Sequence, residues 1–338
     1  MSNVKVLSRS EHMVASDRLW GDRKAKKRKS IFSEIGIHAR RCAVIIFNTL
    51  CGNVLFYILV GAVNRLWPGR PIRSIFLFYA VNSAYLKTMI YEWYAPIVRW
   101  RPGLGQVIRH QGGFWSLSFG ITAKEKDFYN SANEMRLAKL YKDVERIRKI
   151  VGAEQMTFSG ELPGIFVRKG IMQEDKSPEN KNTVKAVILA VQTVAERMGI
   201  PTTSPVIILG AKGFIGHNVT SLLTSQGREV YPIDTNNGSR FPFHLTGKTV
   251  IVLNITKGGI LQEYISLLWD KAVVLNEVYP EPEEAEIEQL KTHGISCYHI
   301  SGVSGSAMPG FPMAYSGAIP CCASYIEDDF KVVLKKLA

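Results

Sequence analysis

The chain has 338 residues, 46% of them apolar, and a formal net charge of +13. That length fits two domains with substantial cores, and the apolar fraction excludes an intrinsically disordered chain. Five cysteines, at 42, 51, 297, 321 and 322, form no CxxC pair and no ligand spacing with the seven histidines, which excludes a zinc module or a disulfide framework.

The charge is uneven. Residues 1–41 carry eleven Lys or Arg against four Asp or Glu, centred on Arg23-Lys24-Ala25-Lys26-Lys27-Arg28-Lys29. Such a run suits a solvated tail, a nucleic-acid arm or a patch held by anionic lipid. The twenty-two uncharged residues Cys42 to Val63 that follow, between Arg40-Arg41 and Arg65 with Trp67, favour lipid over nucleic acid. They predict an apolar membrane-anchor helix within 42–69. A simple span obeying the positive-inside rule would carry the rest of the chain away from the cytosol. The expectation is therefore an interfacial helix dipping into one leaflet at the cytoplasmic face of a membrane. The stretch begins too far into the chain for a secretory signal and has no clear cleavage site.

Trp67-Pro68-Gly69-Arg70-Pro71 breaks the chain. IFLFYAV, Ile75 to Val81, predicts a buried strand and a helix through about Trp93. A break at Arg101-Pro102-Gly103 follows, then a short apolar run opening at Gln111-Gly112-Gly113-Phe114-Trp115, and a charged helix over about 132–151. MTFSGELPGIF reads as strand and turn, and residues 174–182 as a polar loop. Thr183 to Met198 has helical periodicity with Gly199 as its stop.

VIILGAKGFIG, Val206 to Gly216, joins an apolar strand to a glycine-spaced turn opening a helix. In this arrangement Gly210 makes the sharp turn, Gly213 lets the backbone approach a pyrophosphate and Gly216 allows close packing. The phosphates sit on free N–H groups at the helix start, contributed by the turn residues Ala211, Lys212, Phe214 and Ile215. Lys212 either assists the phosphates or is solvated. REVYPID is a second strand ending at Asp234, whose carboxylate suits the adenosine ribose hydroxyls and repels a 2′-phosphate, or starts an ordinary turn. NAD(H) is accordingly expected, with NADP(H) as the alternative. Strands KTVIVLNIT and KAVVLNEVYP, helices near 261–269 and 283–293, and the strand ISCYHIS complete a parallel alternation. Asn254 and Thr256 either border the cofactor or cap their strand end. Residues 318–337 are expected to be helical. With Pro320 ahead of it, Cys321 is either a thiol activated at a helix start or a small buried residue.

The order of these pieces resembles the cyanobacterial long-chain fatty acyl-carrier-protein reductases. The likeness runs from about Ile75 to Ile326 and is better from Thr183 onward. It is carried by TVKAVILAVQTVAERMGI with VIILGAKGFIG, by AVVLNEVYP, by AIPCCASYIE and by Gln111-Gly112-Gly113-Phe114. The resemblance implies a cysteine that takes an acyl chain as a thioester before hydride reduction to an aldehyde. Cys321, with Cys322 beside it, occupies the matching place, and the substrate would be an acyl thioester of acyl carrier protein or coenzyme A. Two positions depart: Ser324 stands where the family has glutamate, and Asp234 replaces the neutral and basic residues of an NADPH site. Two further readings stay open. One is a dehydrogenase of the shikimate or methylene-tetrahydrofolate type, for which Lys169 and Lys185 are lysine candidates without a clear aspartate partner. The other is a non-catalytic dinucleotide-binding protein. The predicted class is α/β, a Rossmann-type parallel sheet domain with a smaller N-terminal α/β substrate domain and a basic, apolar N-terminal extension. Its parts are 1–41, 42–69, 70–182 and 183–338, the last ending in a helix.

Overall fold

The computed structural model describes residues 31–173, 177–234, 240–325 and 329–338. The basic run at 23–29 lies outside them. The chain has a unit ending at His38 and a second running from Ala39 to Ala338, and the architecture below is that of the second.

The apolar stretch does not form one helix. It breaks at Gly52-Asn53 into α1 (Ile31–Cys51) and α2 (Val54–Leu66), bent by 84°, and among the described residues no single helix is long and apolar enough to cross a membrane. The break has a local cause. The Asn53 side chain accepts from Phe56 N at 2.9 Å, so it caps a new helix rather than continuing the old one. Next come β1 (Ile72–Tyr79), α3 (Ser83–Met89), the hairpin strands β2 (Gly103–His110) and β3 (Trp115–Ile121), α4 (Glu125–Tyr129) and α5 (Glu134–Val151). β4 (Gln155–Phe158) and α6 (Leu162–Arg168) close the first half. Strand β2 was not expected, and Gln111 to Phe114 form its turn into β3 rather than the start of an apolar run.

α5 buries Leu137, Leu140, Val144, Ile147 and Val151. That spacing lays one apolar stripe on the sheet face carrying Ile75, Leu77, Leu117 and Phe119. On the opposite face lie Phe76 and Ile108, packed against α7 (Pro178–Met198). This helix begins five residues before the expected start, because Pro178 suits a first helical turn and Glu179 and Asn182 are buried. α7 packs between the two halves and buries Thr183, Val184, Ala186 to Ile188, Ala190, Val191, Val194 and Ala195, while Lys181, Gln192 and its last turn are exposed.

The second half runs β5 (Val206–Leu209), α8 (Phe214–Ser225), β6 (Val230–Ile233), β7 (Val250–Asn254), α9 (Gln262–Ile265), β8 (Ala272–Asn276), α10 (Glu284–Thr292), β9 (Ser296–Val303), β10 (Gly305–Met308) and β11 (Val332–Lys336). Strands β6, β5, β7, β8 and β9 are parallel in that spatial order, with β11 antiparallel beside β9. The first sheet is mixed, in the order β10-β2-β3-β1-β4. The protein therefore has two α/β domains, an N-terminal mixed sheet and a Rossmann-like parallel sheet.

One expectation fails at the C-terminus. The helix over 318–337 is instead a three-residue 3-10 turn, Cys321–Ala323, followed by β11. The run VVLKKL is too short to settle the choice by periodicity, and the open edge of β9 selects the strand. Strand β10 leaves the Rossmann half and pairs antiparallel with β2 of the first sheet.

Candidate functional site

At the carboxyl end of β5 the chain turns through Gly210, whose φ of +89° is costly for a side-chain-bearing residue. A Cβ there would approach Ile255 O to 2.7 Å. On Gly216, a Cβ would overlap the Gly210 carbonyl oxygen and come within 2.9 Å of Ala211 Cα. These two glycines are demanded by packing. Gly213 is different: the Cβ position meets only Gly210 O, at 3.5 Å, and otherwise faces open space at the start of α8. The first-turn N–H groups of Phe214, Ile215 and Gly216 have no intrahelical carbonyl to pair with, which makes this end an anion cradle.

Asp234 follows β6, and its carboxylate accepts from Lys212 N at 3.3 Å. Gly210 N and Ala211 N donate to Ile233 O at 2.9 and 3.2 Å, so β6 and its terminal aspartate brace the turn. The structure thus brings together Gly210, Ala211, Lys212, Gly213, Phe214, Ile215, Gly216 and Asp234. Lys212 and Phe214 are exposed and Ala211 is buried.

Asn254 is placed otherwise. It is buried, donates to Asn276 Oδ1 at 2.7 Å, and accepts from Thr256 Oγ1 at 2.6 Å. Asn276 passes the network on, donating to Val278 O and to His299 Nδ1, each at 2.9 Å. His299 consequently carries its proton on Nε2, and burial pushes its pKa down to about 4, keeping the ring neutral. These side chains lock the ends of β7, β8 and β9 together. Asn254 and Thr256 are strand-end braces beneath the cleft.

Just beyond β8 lie Glu277 and Tyr279, the latter donating to Ile300 O at 2.5 Å. Tyr279 stacks on Tyr315, with centroids 4.4 Å apart, and Tyr315 meets Tyr85 of α3 edge-on at 6.4 Å. Tyr85 donates to Glu281 Oε2 at 2.7 Å, joining the two halves. The half-buried Glu277 carboxyl is pushed up to about 8 by desolvation. Glu277 sits in the segment expected to be a plain strand end, so its sequence gave no sign of a buried acid. The loop after β7 bridges this cluster and the glycine turn: Gly210 abuts Ile255 and Thr256, and Gly258 abuts Pro280.

Cys321 and Cys322 lie near Glu277. Both thiols are raised, Cys321 well above the ordinary range and Cys322 to about 12, chiefly by burial, with Glu277 adding to each. The expected helix N-terminus that would favour thiolate is replaced by a 3-10 turn.

No family model and no curated sequence matches the chain. Solved structures similar to it include shikimate dehydrogenase from Aquifex aeolicus, at 12% identity over 67% of this chain and 85% of that one, with a TM-score of 0.38. The bifunctional methylenetetrahydrofolate dehydrogenase/cyclohydrolase FolD from Campylobacter jejuni shows 11% identity over 73% and 88%, with a TM-score of 0.37. The Trypanosoma brucei FolD, complexed with NADP and an inhibitor, shows 12% identity over 70% and 76%, with a TM-score of 0.34. At this level of likeness none of their activities transfers to the chain.

Proposed function

We propose that the protein is a nicotinamide-dinucleotide oxidoreductase that works without a covalent intermediate, in the cleft between its two domains. The observation that carries this reading is the open space over Gly213, framed by two glycines that packing demands and by unpaired helix N–H groups. Gly213 to Gly216 would hold the pyrophosphate and Asp234 the adenosine ribose, which favours NAD(H). When bound, the nicotinamide supplies or accepts a hydride. Glu277, protonated near neutral pH, would give its proton to a substrate oxygen as a carbonyl is reduced and recover it in the reverse direction.

The acyl-thioester reaction is the second reading, favoured by the presence of Cys321 and Cys322 near Glu277. Against it, both thiols are held protonated, and a thiol must ionise to attack an acyl group. The test is a pair of variants assayed for nicotinamide-dependent turnover across carbonyl and acyl-thioester substrates. Cys321→Ser is expected to keep activity and Glu277→Gln to lose at least about a hundredfold. An inactive Cys321→Ser, together with an acyl adduct on Cys321 in the parent protein by mass spectrometry, would reverse the order of the two readings.

A further inference from the structure

Helix α2 is built inside out. Its inward face presents Tyr57, Gly61 and Asn64, all buried. Asn64 donates to Ile72 O at 2.9 Å and Val151 O at 3.2 Å and accepts from Ile72 N at 2.8 Å, while a Cβ on Gly61 would overlap Ile150 O. The polar and small residues thus hold the helix against β1 and the end of α5. The outward face is apolar: Leu55 is 79% exposed, Leu59 62%, Leu66 86% and Trp67 60%, with Val54, Ile58 and Val63 between 45% and 51%. Seven such side chains exceed the roughly 300–600 Å² that the largest apolar patch of a monomeric protein usually covers. Ile46 and Leu50 of α1 are also exposed.

We propose that this face lies in the interface of an anionic lipid bilayer, parallel to its plane and one leaflet deep. Thirteen residues of helix measure roughly 20 Å, short of the ~30 Å hydrocarbon core, and the 84° bend prevents α1 from completing a straight span. The exposed Trp67 at the helix end suits the headgroup level. Charge chooses the lipid: six of the seven residues at 23–29 are Lys or Arg, and the chain carries +13. This proposal is independent of the chemistry in the cleft.

The full chain, mixed with phosphatidylcholine vesicles with or without phosphatidylserine, is to be followed by flotation. The parent is expected to float with the serine-containing vesicles and to be released by high salt. Leu55→Glu with Leu59→Glu should lower the bound fraction at least about tenfold. Because both side chains point outward, the thermal melt of this variant should match the parent; Leu66→Glu alone provides a milder second variant with a smaller loss. Lys24→Gln, Lys26→Gln and Lys27→Gln together should erase the preference for phosphatidylserine. Failure of the parent to float, or equal flotation of parent and double variant, overturns the proposal. So does a lipid-free dimer of the parent that the double variant dissociates, since the face would then belong to a second copy.

Discussion

Replacing Gly213 and Gly216 by alanine, one at a time, separates what the turn does for the fold from what it does for a ligand. At Gly216 the added methyl would overlap the Gly210 carbonyl oxygen and crowd Ala211 Cα, and both obstacles are backbone. The turn must open, at a cost of about 3 kcal/mol or more for overpacking a rigid contact. At about 1.4 °C per kcal/mol for a chain of this size, Gly216→Ala should melt roughly 4 °C or more below the parent. At Gly213 the methyl meets only Gly210 O, at 3.5 Å, so the fold should lose no more than about 1 kcal/mol, the scale of an N-cap exchange. The methyl would nevertheless fill the space through which a pyrophosphate approaches the backbone, weakening NADH at least about tenfold, or ~1.4 kcal/mol. Differential scanning fluorimetry gives the first quantity and a nicotinamide-fluorescence titration the second. A Gly213→Ala protein that binds NADH as the parent does would refute the placement of the dinucleotide on this turn. A Gly216→Ala protein that melts with the parent would refute the packing argument.

The Glu277 carboxyl, raised from 4.5 to about 8, binds its proton more tightly in the folded than in the unfolded chain. Stability should therefore fall as pH rises from about 4.5 through about 8, by of order 2–4 kcal/mol after discounting for solvent access, and Glu277→Gln should remove that dependence. Urea unfolding of the two proteins at several pH values checks this; a gap that stays constant across the window would contradict it. Asn276→Ala strips partners from Asn254 and His299 at once and should cost about 3 kcal/mol, measured in the same way. Asp234→Ser should weaken NADH and narrow its advantage over NADPH, seen in parallel titrations with the two nucleotides.

Much of the Rossmann half could be read in advance because its strands are buried on both faces. VIIL, VIVLN and AVVLN are unbroken apolar runs bounded by turn residues, and the glycines of the turn carry their spacing openly. The first domain hid more. Strand β2 contains Gln106, Arg109 and His110, and on its face toward α7 Ile108 stands between two polar pairs: His110 Nε2 lies 2.6 Å from Ser116 Oγ, and Ser118 donates to Gln106 Oε1 at 3.3 Å. No alternation of apolar and polar residues survives there. The four residues of β10, Gly305 to Met308, carry no strand signal, since an edge elsewhere in the fold recruits them. In the site, the glycine turn was visible because its requirement is local. Glu277, Tyr279 and Tyr85 were not, because burial in the folded chain perturbs the acid and residues almost two hundred or more positions apart in sequence join Tyr85 to Glu281 and Tyr315. Cys321 was visible as a residue type, but its ionisation depends on the turn and burial that surround it.

Strand β10 has a bearing on how the cleft can work. Only Ser304 separates Val303, the end of β9 in the second sheet, from Gly305, the start of a four-pair ladder on β2 in the first. The two sheets are thus laced together by one short thread at their flank, and swinging them apart would have to unpick that lacing. On the proposed reading, ligands would enter and leave without that swing. The backbone amides of 305–308 should consequently exchange hydrogen as slowly with a dinucleotide present as without it.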